Sequence, residues 1–212
     1  MIKNILYLHG FASSPTSNKA NHILNFLKNK DIKFYVPDLN CGDFTNVTLT
    51  KMLNAIIKSI SGIEGKFIIV GSSLGGYLAS LYAENTPKPP EKMLLLAPGF
   101  NLYNLFRNWL GDTGIKEWEL NGFFNFMHYS YKRELPLSYA FYRDLEIHTD
   151  IPVIKNISIH IIHGTEDNVV PPSITKKFIK KNPEATVEFV KDTHELPNSI
   201  QLILRRIKEM IA

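Results

Sequence analysis

Apolar residues along this chain follow two rhythms: short runs rich in β-branched and leucine side chains, and longer stretches in which they recur at helical spacing. The runs at 4–8, 33–36, 67–71, 92–97, 157–163 and 186–190 are too short for helices and end in turn residues, so they read as strands. Between them the spacing predicts helices over 17–30, 48–61, 75–85, 173–181 and 196–211. The last opens on Leu196-Pro197, since proline is tolerated in a first helical turn. Strands alternating with helices call for a parallel sheet covered on both faces. At 212 residues and 44% hydrophobic content, the chain can bury one large core, which predicts a single domain over 1–212.

One stretch breaks the alternation. About fifty residues, 98–150, separate the fourth and fifth strands, more than a simple crossover needs. Thirteen of the 24 aromatics lie there, among them Phe100, Tyr103, Phe106, Trp109, Trp118, Phe123, Phe124, Phe126 and Tyr142. A helical excursion packed onto the body by its aromatics would account for them. So would a helical cap whose underside lines an acyl pocket, and a cap would do both.

Chemistry enters at Phe67-Ile68-Ile69-Val70-Gly71-Ser72-Ser73-Leu74-Gly75-Gly76. A buried-strand run ends in Gly-x-Ser-x-Gly, and a helical run follows at once. By composition alone the pattern would occur roughly 0.04 times in a chain like this, before any structural context is required. Strand, tight turn and helix with Ser73 at the turn is the construction of a nucleophile elbow, which holds a serine hydroxyl above the sheet. Gly71 and Gly75 fall where a Cβ would collide as the chain doubles back.

A serine hydroxyl needs a base to take its proton, and the base needs an orienting carboxylate. In this architecture they follow in the order serine, acid, histidine. The strand Ile157–His163 runs into Gly164-Thr165-Glu166-Asp167, and Asp167 stands just past its end. Glu166 is its rival, but the apolar Val169-Val170-Pro171 that follows favours Asp167 as the inward-facing residue. The strand Thr186–Val190 runs into Lys191-Asp192-Thr193-His194, and His194 is the one histidine of seven placed after the final strand. His160 lies inside a strand as a packed or solvent-facing residue, and His163 at that strand's end is ambiguous. His22, His128 and His148 have no matching context. Asp192 reads as solvated and Glu195 as a cap on the last helix. Ser73, Asp167 and His194 each end a different strand, at the sheet edge where ligands bind in open parallel sheets.

Two backbone N–H groups should meet the oxyanion. The first strand ends in His9-Gly10-Phe11-Ala12, where Gly10 admits the substrate and Phe11 turns its N–H inward, with Ala12 as the competing donor. Leu74, immediately after the serine, supplies the second. His9 reads as an anchor for its loop.

The opening His9-Gly10-Phe11-Ala12-Ser13-Ser14-Pro15-Thr16-Ser17-Asn18-Lys19-Ala20 resembles the compact bacterial esterases of the YqiA-like group, as do Pro37-Asp38-Leu39 and Gly71-Ser72-Ser73-Leu74-Gly75-Gly76-Tyr77. The wider likeness, over nearly the whole chain, is to the α/β-hydrolase superfamily. His163-Gly164-Thr165-Glu166-Asp167 is similar to the acid loop of hydrolases at large. Such esterases often carry a Gly-Gly-x-His loop before the terminal helix, and here Asp192-Thr193-His194 has no glycine. The resemblance implies a three-layer α/β-hydrolase fold with a six-stranded, mostly parallel sheet in the order 2-1-3-4-5-6. It also implies hydrolysis of carboxylic esters or thioesters without a cofactor.

Other features narrow the picture. Cys41 is the single cysteine, so an internal disulfide is excluded and a reducing, cytoplasmic location is expected. No signal peptide or membrane span stands out, and no His/Cys grouping has metal-ligand spacing. The net charge of +4 comes from lysine and arginine clusters at helical spacing, such as Lys176-Lys177 and Arg205-Arg206-Lys208. These read as solvated helix faces, so no nucleic-acid partner is expected. The expected partner is a small acyl ester or thioester, and the oligomeric state is left open. Thioesterase, acyl-transfer or amide chemistry on the same serine is the second reading. A hydrolase-like binding protein without turnover is the third.

Overall fold

The strands alternate their side chains between two helical layers, and the sequence shows both. In a computed structural model, which describes residues 2–212, six strands form one sheet: β1 (Asn4–Leu8), β2 (Lys33–Tyr35), β3 (Phe67–Ser72), β4 (Lys92–Leu96), β7 (Ser158–Gly164) and β8 (Thr186–Val190). Their order is β2-β1-β3-β4-β7-β8, and every neighbouring pair is parallel. Counting only strands of this sheet, the order reads 2-1-3-4-5-6. The numbers five and six go to a separate hairpin.

Leu6, Leu8, Phe67, Ile69, Met93, Leu95, Ile159 and Ile161 point to one face, where α2 (Leu49–Ser61), α3 (Leu74–Glu84) and α6 (Pro172–Lys181) cover them. Their neighbours Ile5, Tyr7, Ile68, Val70, Leu94, Leu96 and Ile162 point to the other. There α1 (Asn18–Leu27) and α7 (Ile200–Ile211) bury Ala20, Ile23, Leu27, Ile203, Ile207 and Met210. This period-2 division of nearly continuous apolar strands is what a parallel sheet buried on both faces requires. It follows the α/β-hydrolase pattern. Among the described residues no helix is long and apolar enough to cross a membrane.

Helix ends follow local chemistry. Ser17 and Thr48 cap α1 and α2 by accepting the N–H groups of Ala20 and Lys51. The final helix starts later than proline placement suggested. Leu196 is left-handed (φ 53°), Pro197–Ser199 form a 3-10 turn, and α7 begins at Ile200.

The excursion corrects the expectation of a helical cap. It opens with α4 (Leu102–Asn121), broken at Gly111, whose φ of 66° and ψ of 172° no helix contains. It then forms an antiparallel hairpin, β5 (Phe123–His128) and β6 (Arg133–Ser138), followed by α5 (Tyr139–Leu145). One hairpin face, with Phe124, Phe126, Leu135 and Leu137, packs on the aromatic core around Phe106, Trp118 and Phe141. The backbone bond from Asn101 N–H to Asp150 C=O, 2.8 Å, ties the base of the excursion together.

Candidate active site

Ser73 is the residue where β3 turns into α3. Its backbone sits at φ 52°, ψ −117°, a conformation costly for a side chain and kept only where surroundings impose it. Glycines impose it here. A Cβ on Gly71 would lie 2.6 Å from the Gly75 carbonyl oxygen, and one on Gly75 would overlap the Leu8 carbonyl. The first loop therefore presses directly on the elbow, and Gly10 stands where a Cβ would be 3.5 Å from Ser73 Cβ. The Ser73 N–H donates to Leu96 C=O (2.9 Å), and its carbonyl accepts from Gly76, Tyr77 and Gly99.

Three strand ends converge on this serine. Ser73 Oγ is 2.9 Å from His194 Nε2, and His194 Nδ1 is 2.7 Å from Asp167 Oδ2. A carboxylate can only accept, so Nδ1 carries the proton, and Nε2 is free to accept from the serine hydroxyl. The Asp167 side chain is fully buried and that of His194 is 11% exposed. Burial pushes the Asp167 carboxyl up, but hydrogen bonds from His163 and His194, the nearby His194 ring and the Val170 N–H outweigh it. The carboxyl is held well below the ordinary carboxylate range. Glu166 is exposed, and the Asp192 carboxylate bonds Thr193, Asn198 and Ser199, not the His194 ring.

The loop after β1 is held as an anchor would hold it. His9 is buried, its Nε2 accepts from Leu39 N–H (3.0 Å), and its Nδ1–H donates to Gly10 C=O (2.9 Å). In a trans peptide the C=O and the next N–H point opposite ways. Fixing the Gly10 carbonyl on His9 therefore aims the Phe11 N–H away from that ring. The Ala12 carbonyl instead accepts from Tyr129 N–H at the hairpin tip (2.9 Å). Leu74 opens α3, where first-turn N–H groups have no partner within the helix.

Two readings of the neighbouring acids need correction. Asp192 is 2% exposed, not solvated: its carboxylate accepts from Thr193 N–H, Asn198 N–H and Ser199 Oγ–H, and so builds the turn that carries His194. Glu195 caps no helix. It pairs with the buried Lys19 of α1 at 2.7 Å, which ties the His194 loop to the first helix. Some desolvation beside Lys19 raises the mostly exposed Glu195 carboxyl, and the Lys19 ammonium brings it below its usual value. His160 is half-buried against Thr186 and Glu188. His163, ambiguous in the sequence, is fully buried with its Nε2 3.2 Å from Asp167 Oδ2. No local signal marks that contact, because His163 lies in a strand and Asp167 stands in the loop beyond it.

Residues 4–212 match the family described as "Uncharacterised protein family (UPF0227)". The chain belongs to this family. Curated relatives named "Palmitoyl-protein thioesterase ABHD10, mitochondrial" are 28% identical in Homo sapiens and 29% in Pongo abelii, over 178 residues. The match takes in 79% of this chain and 58% of theirs, so the chain spans little more than half their length. Among solved structures, alpha/beta hydrolase domain-containing protein 10 from mouse superposes with a TM-score of 0.79 at 21% identity, covering 98% of this chain and 89% of that one. Est1E from Butyrivibrio proteoclasticus gives 0.77 at 19%, covering 99% and 86%. At these identities the likeness is one of fold: the UPF0227 chain has the α/β-hydrolase fold.

Proposed function

We propose that this UPF0227 chain is a serine hydrolase that cleaves carboxylic esters through an acyl-enzyme. The observation that carries the reading is the unbroken hydrogen-bond chain Ser73 Oγ, His194, Asp167, built on a strained serine. Ser73 Oγ attacks the acyl carbon as its proton passes to His194 Nε2. Asp167 keeps the ring in the tautomer that can accept and stabilises the imidazolium that results. The carbonyl oxygen becomes an oxyanion between the N–H groups of Leu74 and Phe11. The C–O bond to the leaving alcohol breaks as His194 returns the proton to it. Water, deprotonated by His194, then attacks the acyl-Ser73 ester and releases the acid.

No step asks for a metal or cofactor. The excursion over 98–150 is read as a cap on a single domain, with Phe11 packed edge-on against Phe106 and Phe126 at 5.4 and 5.5 Å beside the proposed oxyanion donors. A second reading, thioester hydrolysis on the same residues, draws support from the relatives that bear the name palmitoyl-protein thioesterase.

A fluorophosphonate probe tests the nucleophile. It is expected to label the wild type and to leave Ser73→Ala unlabelled, and equal labelling of both would overturn the assignment. The ratio of kcat/KM for matched oxygen esters and acyl thioesters then separates the two readings.

A further inference from the structure

Asp167 receives more hydrogen bonds than a simple orienting acid needs. Its Oδ1 accepts from the backbone N–H groups of Val169 (2.9 Å) and Val170 (2.8 Å). Its Oδ2 accepts from His194 Nδ1 at 2.7 Å, and a second imidazole nitrogen, His163 Nε2, stands 3.2 Å from the same oxygen. The side chains of His163 and Asp167 are both without solvent exposure.

The protonation of His163 follows from its neighbours. Nε2 is 2.9 Å from the Val170 carbonyl oxygen, which can only accept, so Nε2 carries a proton. That N–H bonds to Val170 C=O and leaves the positive edge of the ring beside Asp167 Oδ2, 3.2 Å away. Nδ1 is 2.7 Å from Thr175 Oγ1 of α6 and takes the hydroxyl proton when the ring is neutral. Both ring nitrogens are satisfied, and the ring is pinned between β7, the acid loop and α6. Phe189 of β8 lies beyond it, centroids 6.4 Å apart, with Lys176 of α6 over that ring. Other charged groups near Asp167 and His194 are Glu195 with its partner Lys19, and the buried Asp192 carboxylate of the His194 turn.

We propose that His163 is a positioning residue of the active site: it locks the plane of the Asp167 carboxylate through Oδ2 and tempers the pull of that oxygen on His194. The inference rests on the triad reading above. With Oδ1 held by two backbone donors and the buried His163 ring packed against Oδ2, the carboxylate has little room to turn, so His194 finds one oxygen in one place. The positive end of an N–H dipole held beside a carboxylate oxygen also stabilises its charge. The imidazolium formed at His194 is then stabilised less strongly than by Asp167 alone, which keeps His194 a competent base at lower pH.

Three variants read this out. His163→Leu removes the donor, His163→Gln restores an amide N–H near the Nε2 position, and Thr175→Val removes the hydroxyl that holds Nδ1 while preserving shape. For His163→Leu, kcat/KM is expected to fall roughly ten- to a hundredfold, the scale of a small misplacement within an active site. The acid limb of its pH profile should move upward by roughly half a unit or more, because the unshared carboxylate favours imidazolium. His163→Gln should keep the wild-type limb and recover most of the activity.

If His163→Leu does not fold, Thr175→Val carries the test, with a smaller upward movement of the limb. An unmoved acid limb in a folded His163→Leu or Thr175→Val enzyme would overturn the proposal. So would a His163→Gln enzyme no better than His163→Leu, since packing alone would produce neither the shift nor its rescue. Failure of the triad reading looks different: Ser73→Ala or His194→Ala would keep wild-type turnover whatever His163 did.

Discussion

Gly164, the last residue of β7, and Asp192, just past β8, pass so close that no side chain fits between them. A Cβ on Gly164 would overlap the Asp192 carbonyl oxygen and lie 2.7 Å from that of Thr193. Glu166 N–H donates to the same Asp192 carbonyl at 3.0 Å, so the acid loop and the base loop are joined along their backbones. The 2.7 Å bond between Asp167 and His194 depends on this join. Gly164→Ala is therefore expected to cost about 1–3 kcal/mol of stability, as overpacking does. It should also lower kcat by displacing His194. Thermal unfolding and steady-state kinetics on one preparation check both, and an unchanged kcat would show that the loops tolerate separation.

Beside the Phe11–Phe126 ring contact, the hairpin reaches the proposed oxyanion loop through a backbone bond, Tyr129 N–H to Ala12 C=O at 2.9 Å. Tyr129 is 72% exposed, so its side chain contributes little packing there. Tyr129→Pro removes the donor and fixes φ there, while Tyr129→Ala keeps the donor and controls for the lost side chain. The proline variant is expected to lose about tenfold in kcat, a sub-ångström displacement of the loop being enough. The alanine variant should match wild type. Equal kinetics for the two would mean that the tip does not hold the loop.

The sheet was legible because buried parallel strands write themselves as continuous apolar runs. The three strand ends carrying Ser73, Asp167 and His194 could be read because each run stops at a polar loop. The hairpin was not legible. Its connection, Tyr129-Ser130-Tyr131-Lys132, lacks the Asn-Gly or Gly pairs that signal a tight turn, and Lys132 takes the left-handed conformation at φ 54°. Pro136 also argues against a strand, yet it pairs with Asn125 in a two-stranded ribbon, where every strand is an edge. Asp192 and Glu195 were misread for a related reason. Both stand in a polar stretch, and only the fold brings Ser199 and Asn198 to one and Lys19 to the other. Contacts between elements leave no local pattern.

Lys19 and Glu195 make a charged pair beside the His194 loop, with Lys19 buried and Glu195 largely exposed. An exposed partner limits what the pair adds to stability, roughly 1 kcal/mol or less. Its larger effect should be on the pH profile. Glu195→Gln removes a negative charge near His194 and should move the acid limb of kcat/KM down. Lys19→Met leaves that charge unbalanced and should move it up. Raising ionic strength should shrink both shifts. Shifts of the same sign in the two variants would exclude an electrostatic origin.

Acid stability should report on Asp38, in the loop after β2. His9 Nε2, 3.8 Å from Asp38 Oδ1, already accepts from Leu39 N–H and has no proton to give it. The backbone N–H groups of Asn40 and Gly42 work against burial and hold the carboxyl below its ordinary value. The sign follows from linkage: a group whose folded value is depressed stabilises the fold above its unfolded value. That stabilisation is present in full above about pH 4 and is lost as pH falls toward 2, when the folded-state carboxylate takes its proton. Asp38→Asn keeps an acceptor for Asn40 N–H, now 3.0 Å from Oδ1, and removes only the charge. The wild type is therefore expected to melt above Asp38→Asn at pH 5, with the gap closing between pH 4 and 2. Because other carboxylates titrate equally in both proteins, the difference between the two melting curves isolates this group. A gap that stays constant down to pH 2 would mean that the charge of Asp38 plays no part in holding the loop after β2.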